Sequence, residues 1–215
     1  MIKKNLKALI ITSCVIVLPV LAGLALWTRL PQQLPTHWNA AGERDGWSSK
    51  AFAVFALPLI LLAAQWLCVL ATLADPKKHN HGGKILLVVF WIIPVLSVVV
   101  NGSIYATALG AGIAMEVITP LLVGLTFVII GNYLPKCKQN YTVGIKLPWT
   151  LQSEENWNRT HRMAGRLWVI GGIVILLCGF LGGVWLILPV TLIMVVAPMI
   201  YSYVLYRKGE DESNG

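Results

Sequence analysis

Residues 131–165 read GNYLPKCKQNYTVGIKLPWTLQSEENWNRTHRMAG, a polar, aromatic and basic stretch with hydrophobic sequence on both sides. Such a stretch is expected where a chain leaves a membrane between two spanning helices, because non-helical backbone needs water or protein as its hydrogen-bond partner. It also holds a dense cluster of side chains able to bind a partner. We therefore expect it to carry more of the function than the helices around it.

The composition of the chain is typical of a membrane protein. Hydrophobic residues make up 57% of its 215 residues and charged residues 12%, about half the charged fraction of an average soluble domain. A spanning helix needs about 20 mostly apolar residues. Six segments meet that requirement: 8–27, 52–73, 85–109, 113–133, 163–180 and 184–206. The sequence predicts an all-α integral membrane protein with six transmembrane helices, the last two joined by a tight glycine-rich turn.

The distribution of Lys and Arg predicts the orientation in the membrane. Thirteen of the 17 basic residues lie in the loops and termini of one side, and three lie on the other side. Cytoplasmic loops carry the excess of Lys and Arg. Both termini and the loop at 134–162 (the inner loop) are therefore predicted to be cytoplasmic, and the loop at 29–50 (the outer loop) to be outside. This topology explains the net charge of +8, so we expect membrane lipid as a partner and no direct contact with nucleic acid.

The two long loops occupy matching positions in two predicted halves of one membrane domain, residues 1–109 and 110–215. Each half has three helices, and each long loop opens with Leu-Pro, at 30–31 and 134–135. Opposite orientation of such halves is the pattern of an inverted repeat, and chance symmetry is the alternative. Prolines inside most spans either shape helix packing or border a transport cavity, although almost no ionisable residue lies within the spans.

The outer loop reads RLPQQLPTHWNAAGERDGWSSK, the composition of a compact segment close to the bilayer. Its prolines favour extended backbone, its Asn and Asp-Gly steps favour turns, and its tryptophans suit the membrane interface. The residues around His37 match no metal-ligand spacing, and we expect neither a metal nor a cofactor. We interpret the loop as a cap or as a docking surface for an extracellular molecule. Its candidate residues are Pro35, His37, Trp38, Asn39, Gly42, Asp45, Gly46 and Trp47.

The pattern of the inner loop predicts a turn, a short extended segment and then a helix. The turn is expected at 140–144, and Pro148 should end the extended segment. Thr150 or Ser153 can cap the helix that follows. We expect an amphipathic helix at the membrane surface that continues into the fifth span, with Trp157 and the tryptophan after Pro148 at the level of the lipid headgroups.

The helix that begins near Glu154 places several polar groups on one side. We expect a charged pair of Glu154 with Arg162, or with Lys146, shielded by lipid and tryptophan. Glu154 and His161 lie seven residues apart, which is not the spacing of a zinc-binding pair, and no Ser or Cys nucleophile accompanies a base. The sequence therefore favours a hydrogen-bonded structural role for His161 and predicts no catalytic residue.

Two segments resemble a known family. The inner stretch contains GN-x-LP-K, then N-Y-x-x-G-I-K-x-P-W-T-L, then W-x-x-T-H-R-x-x-G, which is similar to the signature of the SdpI family of bacterial membrane immunity proteins. The outer segment LP-x-x-x-P-x-HWN-x-x-G-x-x-DGW-x-SK resembles an uncharacterised domain common at the front of such proteins. Lys-Leu-Pro at 146–148 stands where Arg-Thr-Pro is more usual, a mild departure.

The resemblance implies a multi-pass protein of the bacterial cytoplasmic membrane that gives immunity to a secreted peptide toxin and signals to a cytoplasmic repressor or other regulator. The residues of the inner motif, expected to bind or to signal, are Asn132, Pro135, Lys136, Asn140, Tyr141, Gly144, Lys146, Pro148, Trp149, Thr150, Glu154, Trp157, Thr160, His161, Arg162 and Gly165. A non-enzymatic immunity or sensor protein is the leading interpretation. A small transporter with a cavity between kinked helices and a membrane-embedded enzyme are the alternatives.

Overall fold

The structure, a computed structural model, describes residues 2–39 and 41–213; Ala40, in the predicted turn of the outer loop, lies outside the described residues. The helices are α1 Ile2–Ala25, α2 Leu57–Ala74, α3 Gly83–Ala108, α4 Met115–Tyr133, α5 Pro148–Gln152, α6 Glu154–Leu181 and α7 Ile187–Ser213, and the strands are β1 Gln33–Trp38 and β2 Arg44–Ser49. A π-helix lies at Phe52–Ala56, and 3₁₀ helices lie at Lys78–Asn80, Leu134–Lys136 and Val184–Leu186. Six helices in the described part of the chain are long and apolar enough to cross a membrane. The predicted helical membrane-protein class with six spans is confirmed.

The apolar runs form helices because backbone inside a bilayer has to satisfy its own hydrogen bonds. Prolines lie inside α1, α3, α4 and α7 without ending them. The tight turn predicted after the fifth span is present. Gly182 ends α6 with φ +71°, and the Gly183 N–H donates to the Cys178 carbonyl at 2.9 Å. A positive φ is a conformation that glycine adopts without steric cost.

The chain divides into two compact units. The first contains Met1–Leu70 and Leu87–Ile118, and the second contains Ala71–Leu86 and Thr119–Gly215. The inner loop and the segment that joins α2 to α3 therefore belong to the same unit. The predicted three-helix halves, their inverted repeat and the orientation of the termini stay predictions.

The outer loop, in the first unit, is a β-hairpin, whereas the sequence predicted only extended segments and turns. β1 and β2 are antiparallel, with Gln33 opposite Ser49 and Trp38 opposite Arg44. The residues at the base of the hairpin join a buried apolar cluster of Leu30, Leu34, Ala53, Val54, Ile104 and Tyr105. Burial of one face fixes the register of a hairpin, so the loop has one defined conformation.

Lys50, buried directly after β2, connects the hairpin to the end of α1. Its Nζ donates to the Trp27 carbonyl at 3.0 Å and to the Leu30 carbonyl at 2.9 Å, and it lies 4.9 Å from the centre of the Trp27 ring. A cation is favourable beside the free carbonyls that follow a helix. These bonds hold the start and the end of the outer loop together.

In the second unit, α4 and α6 cross at two glycine pairs. A Cβ atom at Gly124 would lie 2.6 Å from the Gly172 carbonyl oxygen, and one at Gly165 would lie 2.7 Å from the Gly131 carbonyl oxygen. Seven residues separate the pairs on each helix, and the two helices run in opposite directions. Small residues allow membrane helices to approach this closely. The two pairs thereby fix both ends of the inner loop, which joins α4 to α6.

Candidate functional site

Asn140 holds the turn of the inner loop together. Its side chain is fully buried, and its Oδ1 accepts from the N–H groups of Thr142 at 2.9 Å and Val143 at 2.7 Å. Its Nδ2 donates to the carbonyls of Lys138 at 2.8 Å and Val143 at 2.9 Å. An Asn side chain can replace backbone hydrogen bonds of a turn in this way. The predicted turn is present, and Asn140 supports its conformation.

Asp75 ties the segment between α2 and α3 to the inner loop. Its Oδ2 accepts from the Tyr141 N–H at 2.9 Å and from the Thr142 hydroxyl at 2.8 Å. The same oxygen lies 3.1 Å from His81 Nε2, and Oδ1 accepts from the Lys77 N–H at 2.7 Å. A buried charge is unfavourable unless it is paired and hydrogen-bonded. The partners of this carboxylate come from both segments, so they hold the two segments together.

These partners also set the protonation of Asp75. Burial by itself raises the pKa of a carboxyl group. Hydrogen bonds from the Thr142 hydroxyl and from the N–H groups of Lys77 and Tyr141, together with the nearby His81, outweigh burial and lower the pKa of Asp75 below its ordinary value of 3.8. Asp75 is therefore ionised at neutral pH, in the form that accepts the most hydrogen bonds.

Gln139 forms a second connection between the same segments. Its Oε1 accepts from Lys77 Nζ, and its backbone carbonyl accepts from Asn80 Nδ2 at 2.7 Å. Its Nε2 donates to the carbonyls of Thr150 and Leu151, both at 2.9 Å. Carbonyls at the end of a helix have no partner inside the helix, and Gln139 supplies one for α5. One buried amide thus joins the α2–α3 segment, the inner loop and α5.

Gly144 lies against Trp157 and His161 of α6. Its φ of +121° disfavours any other residue, and a Cβ there would lie 3.0 Å from the Trp157 ring and closer still to His161 Nε2. The Trp157 and His161 rings stack with centroids 4.0 Å apart. His161 Nδ1 donates to the Trp157 carbonyl at 2.8 Å, and Nε2 accepts from the Ile145 N–H at 3.0 Å. His161 is therefore neutral, with both ring nitrogens hydrogen-bonded inside the protein.

Two helices, α5 and α6, follow the turn where the sequence predicted one, and of the two predicted caps Ser153 is the N-cap, of α6. Pro148 lies in the first turn of α5, and the Thr150 hydroxyl accepts from the Leu147 N–H at 2.9 Å. Ser153 caps α6 by accepting from the Asn156 N–H at 3.1 Å. Each cap satisfies an N–H that has no partner within its helix. Together the caps define the path from the inner loop into the fifth span.

Asn156 connects the first turn of α6 to α7. Its Nδ2 donates to the Ser202 carbonyl at 2.9 Å, and its Oδ1 accepts from the Ser202 hydroxyl at 3.0 Å. The Thr160 hydroxyl donates to the same Oδ1 at 3.0 Å. All three side chains are buried. Buried polar groups need partners of this kind, so the network fixes α7 against the start of α6.

Two expectations about the inner motif are wrong. The charged pair on α6 joins Arg159 to Glu155 at 3.2 Å, and within the described residues no ion pair joins Glu154 to Arg162 or to Lys146. Residues four apart on a helix are neighbours. The ion pair forms on the stripe of α6 that contains Glu155 and Arg159, next to the stripe that contains Glu154. The four-residue spacing that placed Glu154 and Arg162 on one stripe of the helix did not decide which stripe carries the ion pair.

The second wrong expectation concerns Trp157. It is not an anchor exposed to lipid: its side chain is fully buried, and its Nε1 donates to the Cys137 carbonyl at 2.7 Å. A buried indole N–H needs an acceptor, and the start of the inner loop provides it. Trp149 is half-buried and contacts the rings of Tyr203 and Tyr206, with centroids 5.3 and 6.1 Å away.

Most residues of the predicted inner motif are either buried or exposed, and Gly144 and Trp149 are half-buried. Its buried members are Asn140, Thr150, Trp157, Thr160, His161 and Gly165. Its exposed members are Asn132, Pro135, Lys136, Tyr141, Lys146, Pro148, Glu154 and Arg162. The buried group builds the conformation of the loop, and the exposed group is available for contacts. The sequence missed Asp75, His81 and Gln139, because a short polar loop between spans gives no signal that its side chains will be buried.

The turn of the outer hairpin is organised by Asn39. Its Oδ1 accepts from the N–H groups of Ala41 at 2.9 Å and Glu43 at 3.0 Å. Gly42 has φ +79°, and a Cβ there would collide with the Glu116 carboxylate. Glycine is favoured at this position both by its backbone conformation and by the space available. These contacts support the predicted turn.

The face of the hairpin carries its exposed groups. His37 Nδ1 lies 2.6 Å from Asp45 Oδ1, and both side chains are exposed. A Cβ at Gly46 would lie 2.8 Å from the His37 Cβ, so the absence of a side chain lets the strands pair here. Trp47 is 55% exposed, whereas Pro35 is buried. The hairpin thus presents an aromatic ring and a polar pair on a defined backbone.

The chemistry of these groups favours binding and conformational control. Within the described residues, no group of three or more His, Cys, Asp or Glu is placed to hold a metal. Burial raises the pKa of the Cys137 thiol, although a hydrogen bond from Asn140 opposes the effect. A thiol with a raised pKa is a poor nucleophile at neutral pH. We call the inner loop together with residues 75–81 the inner site. Its buried hydrogen bonds can hold the inner loop in one conformation, and its surface carries exposed cations.

Comparison with known proteins identifies relatives of this chain. Residues 136–202 match the family described as the SdpI/YfhL protein family, and residues 14–62 match a domain of unknown function, DUF1648. The chain is 26% identical over 213 residues to Immunity protein SdpI of Bacillus subtilis (strain 168), covering 96% of this chain and 97% of that protein. No solved structure shows a significant match. The resemblance stated from the sequence is confirmed.

Proposed function

Since the chain carries the SdpI/YfhL family region, we propose that it is a membrane immunity or sensor protein of the bacterial cytoplasmic membrane that protects against a secreted peptide toxin. The observation that carries the proposal is the end-to-end match to an immunity protein. The structure supports it with two ordered polar sites, one at each predicted side of the membrane. We expect no catalytic step.

The outer hairpin is the proposed contact for the toxin. Its register is fixed by its buried base, and it exposes Trp47 beside the His37–Asp45 pair. Exposed aromatic side chains on a rigid backbone are common anchors in binding surfaces because little entropy is lost when they are covered. A membrane-active peptide would meet this surface before it reached the bilayer.

The inner site is the proposed contact for a cytoplasmic regulator. Tyr141 and the side chains of Lys138 and Lys146 are exposed around a loop whose backbone is held by Asp75 and Asn140. A basic surface can attract an acidic partner. A rigid loop can also adopt a second state if one of the buried hydrogen bonds is replaced.

The experiment that tests immunity is a survival assay. The protein is expressed in a sensitive bacterium, which is then exposed to the secreted peptides encoded beside the gene. We expect survival to rise with the wild type, to fall to the empty-vector level with Trp47→Ala, and to be unchanged with Trp185→Ala. Trp185 is the matched control because it is also exposed and lies on the same predicted side.

Absence of protection by the wild type would contradict the proposal. Movement of a solute into liposomes by the purified protein would instead support the transporter interpretation. Equal loss of protection with both tryptophan variants would show that exposed aromatic side chains act by anchoring the protein in the membrane. The hairpin would then not be a specific contact for the toxin.

A further inference from the structure

A cleft lies between α5, the start of α6 and the end of α7. It has a volume of about 570 Å³ and is lined by Trp149, Glu155, Arg159, Tyr201, Tyr206 and Lys208, among others. All of these residues belong to the second compact unit. The immunity proposal assigns no role to this cleft, and a pocket of this size can hold a small organic group.

The charges of the cleft favour an anion. Among the lining residues whose side chains the structure describes, Arg159 and Lys208 are the cations and Glu155 is the acid. Glu155 binds Arg159 at 3.2 Å and so orients the guanidinium, which has five N–H donors in all. Arg159 also interacts with Tyr201. The guanidinium is thus held in place at the cleft with donors left over.

A buried N–H group is a third hydrogen-bond donor beside the two cations of the cleft. Trp149 lines the cleft, and its Nε1 is buried with no hydrogen-bond partner in the described part of the chain. Its ring is held by Tyr203 and Tyr206. A buried N–H without an acceptor is unfavourable. A small rotation of the ring toward the cleft would let an oxygen atom of a bound ligand accept from this N–H.

The position of the cleft indicates where the anion comes from. α6 and α7 are both candidate spans, Glu154–Leu181 and Val184–Gly209, and the cleft lies where the first begins and the second ends. The ends of spanning helices are expected at the level of the lipid headgroups, where Trp and Tyr are enriched. Basic pockets between spanning helices on the cytoplasmic side bind anionic headgroups. We propose that this cleft binds the headgroup of an anionic phospholipid, with Arg159, Lys208 and the Trp149 indole as donors to its phosphate and glycerol oxygens.

The test uses the full-length protein, purified in mild detergent and mixed with equal amounts of phosphatidylglycerol and phosphatidylcholine of the same acyl chains. Native mass spectrometry then counts each lipid retained. We expect phosphatidylglycerol to be preferred, and the preference to fall by about fivefold for each cation removed in Arg159→Gln and Lys208→Gln. Trp149→Phe keeps the ring and removes the N–H, so it should weaken retention with a smaller effect.

The matched control is Lys136→Gln with Lys138→Gln, which removes two exposed cations outside the cleft. We expect it to keep the preference. Equal retention of both lipids by the wild type would overturn the proposal, as would an equal loss with the control, which would indicate general attraction to the basic rim. Displacement of the lipid by soluble glycerol phosphate at equal concentration would assign the cleft to a soluble phosphate ligand and would also overturn the proposal. Unchanged gel filtration and circular dichroism spectra establish that each variant is folded.

Discussion

Asp75 Oδ2 and the Thr142 hydroxyl are 2.8 Å apart, although 67 residues separate them in the chain. Asp75 follows the second predicted span, and Thr142 lies in the middle of the inner loop. With the Tyr141 N–H on the same oxygen, this contact makes the conformation of the inner loop depend on the α2–α3 segment. The family signature alone therefore does not contain the whole site.

We predict that Asp75→Asn loosens the inner loop. The amide carries no charge, and hydrogen bonds to a charged group are the stronger kind, so local stability should fall by about 1–3 kcal/mol. Buried Cys137 is the reporter, in a protein whose other three cysteines are replaced by alanine. Its rate of maleimide labelling should rise by about 5- to 150-fold, because the thiol reacts when the loop opens.

Asp45→Asn is the control for that measurement, since it removes a carboxylate that also faces a histidine but is exposed. Labelling of Cys137 should not change with it. Thr142→Val should raise labelling in the wild-type background and have a much smaller effect in Asp75→Asn, because two partners in one contact are not additive. Additive effects would show that the two residues act separately.

We predict that Gly144→Ala destabilises the inner site. The new methyl group needs a φ of +121° and collides with His161 and Trp157, and a strained backbone conformation alone costs about 1–3 kcal/mol. Gly83→Ala is the matched control, because nothing lies within 4 Å of its Cβ position. Thermal unfolding in detergent is the measurement. A melting temperature lowered equally by both changes would contradict the packing described for Gly144.

The stabilisation by Asp75 should depend on pH with a defined sign. The pKa of Asp75 is lowered in the folded protein from its ordinary value of 3.8. A lowered pKa means that the stabilisation is complete above the unfolded pKa and is lost as the pH falls through the folded one. The difference in melting temperature between wild type and Asp75→Asn, measured in nanodiscs between about pH 5 and 3, should be largest at about pH 5 and shrink below about pH 4. A difference that grows on acidification would refute this role for the carboxylate.

The predicted orientation is tested by labelling intact cells. In a cysteine-free protein, Ala41→Cys in the outer hairpin should react with a membrane-impermeant maleimide, and Lys138→Cys in the inner loop should react only after the cells are opened. Both positions are exposed, so access to the reagent depends on the side of the membrane alone. The reverse pattern would show that the excess of basic residues does not set the orientation here.

Hydrophobic runs predicted the spans, because length and composition decide whether a helix can cross a bilayer. Local turn and cap chemistry at Asn140, Pro148 and Ser153 was also readable, since a side chain acts there on its own neighbours in sequence. Resemblance to the SdpI family located the inner motif.

Contacts between distant segments could not be read in this way. Asp75 and Gln139 look like ordinary loop residues until the fold buries them. A tryptophan near the end of a span, such as Trp157, is typical of an anchor at the membrane interface. Trp157 is instead a core residue, because the inner loop covers the face of α6 on which it lies. The pairing of strands in the outer hairpin likewise depends on the buried residues beneath it.

The glycine pairs between α4 and α6 have a mechanical consequence. Backbone carbonyls stand where side chains would otherwise be, and close-packed interfaces of this kind do not deform continuously. Sliding or rotation of one helix along the other would bring Cβ atoms of neighbouring residues onto those carbonyls. The two ends of the inner loop are therefore anchor points at a fixed distance, and a load placed on the loop is not absorbed by shear between its flanking helices. It passes instead to the α2–α3 segment, through the hydrogen bonds of Asp75 and Gln139.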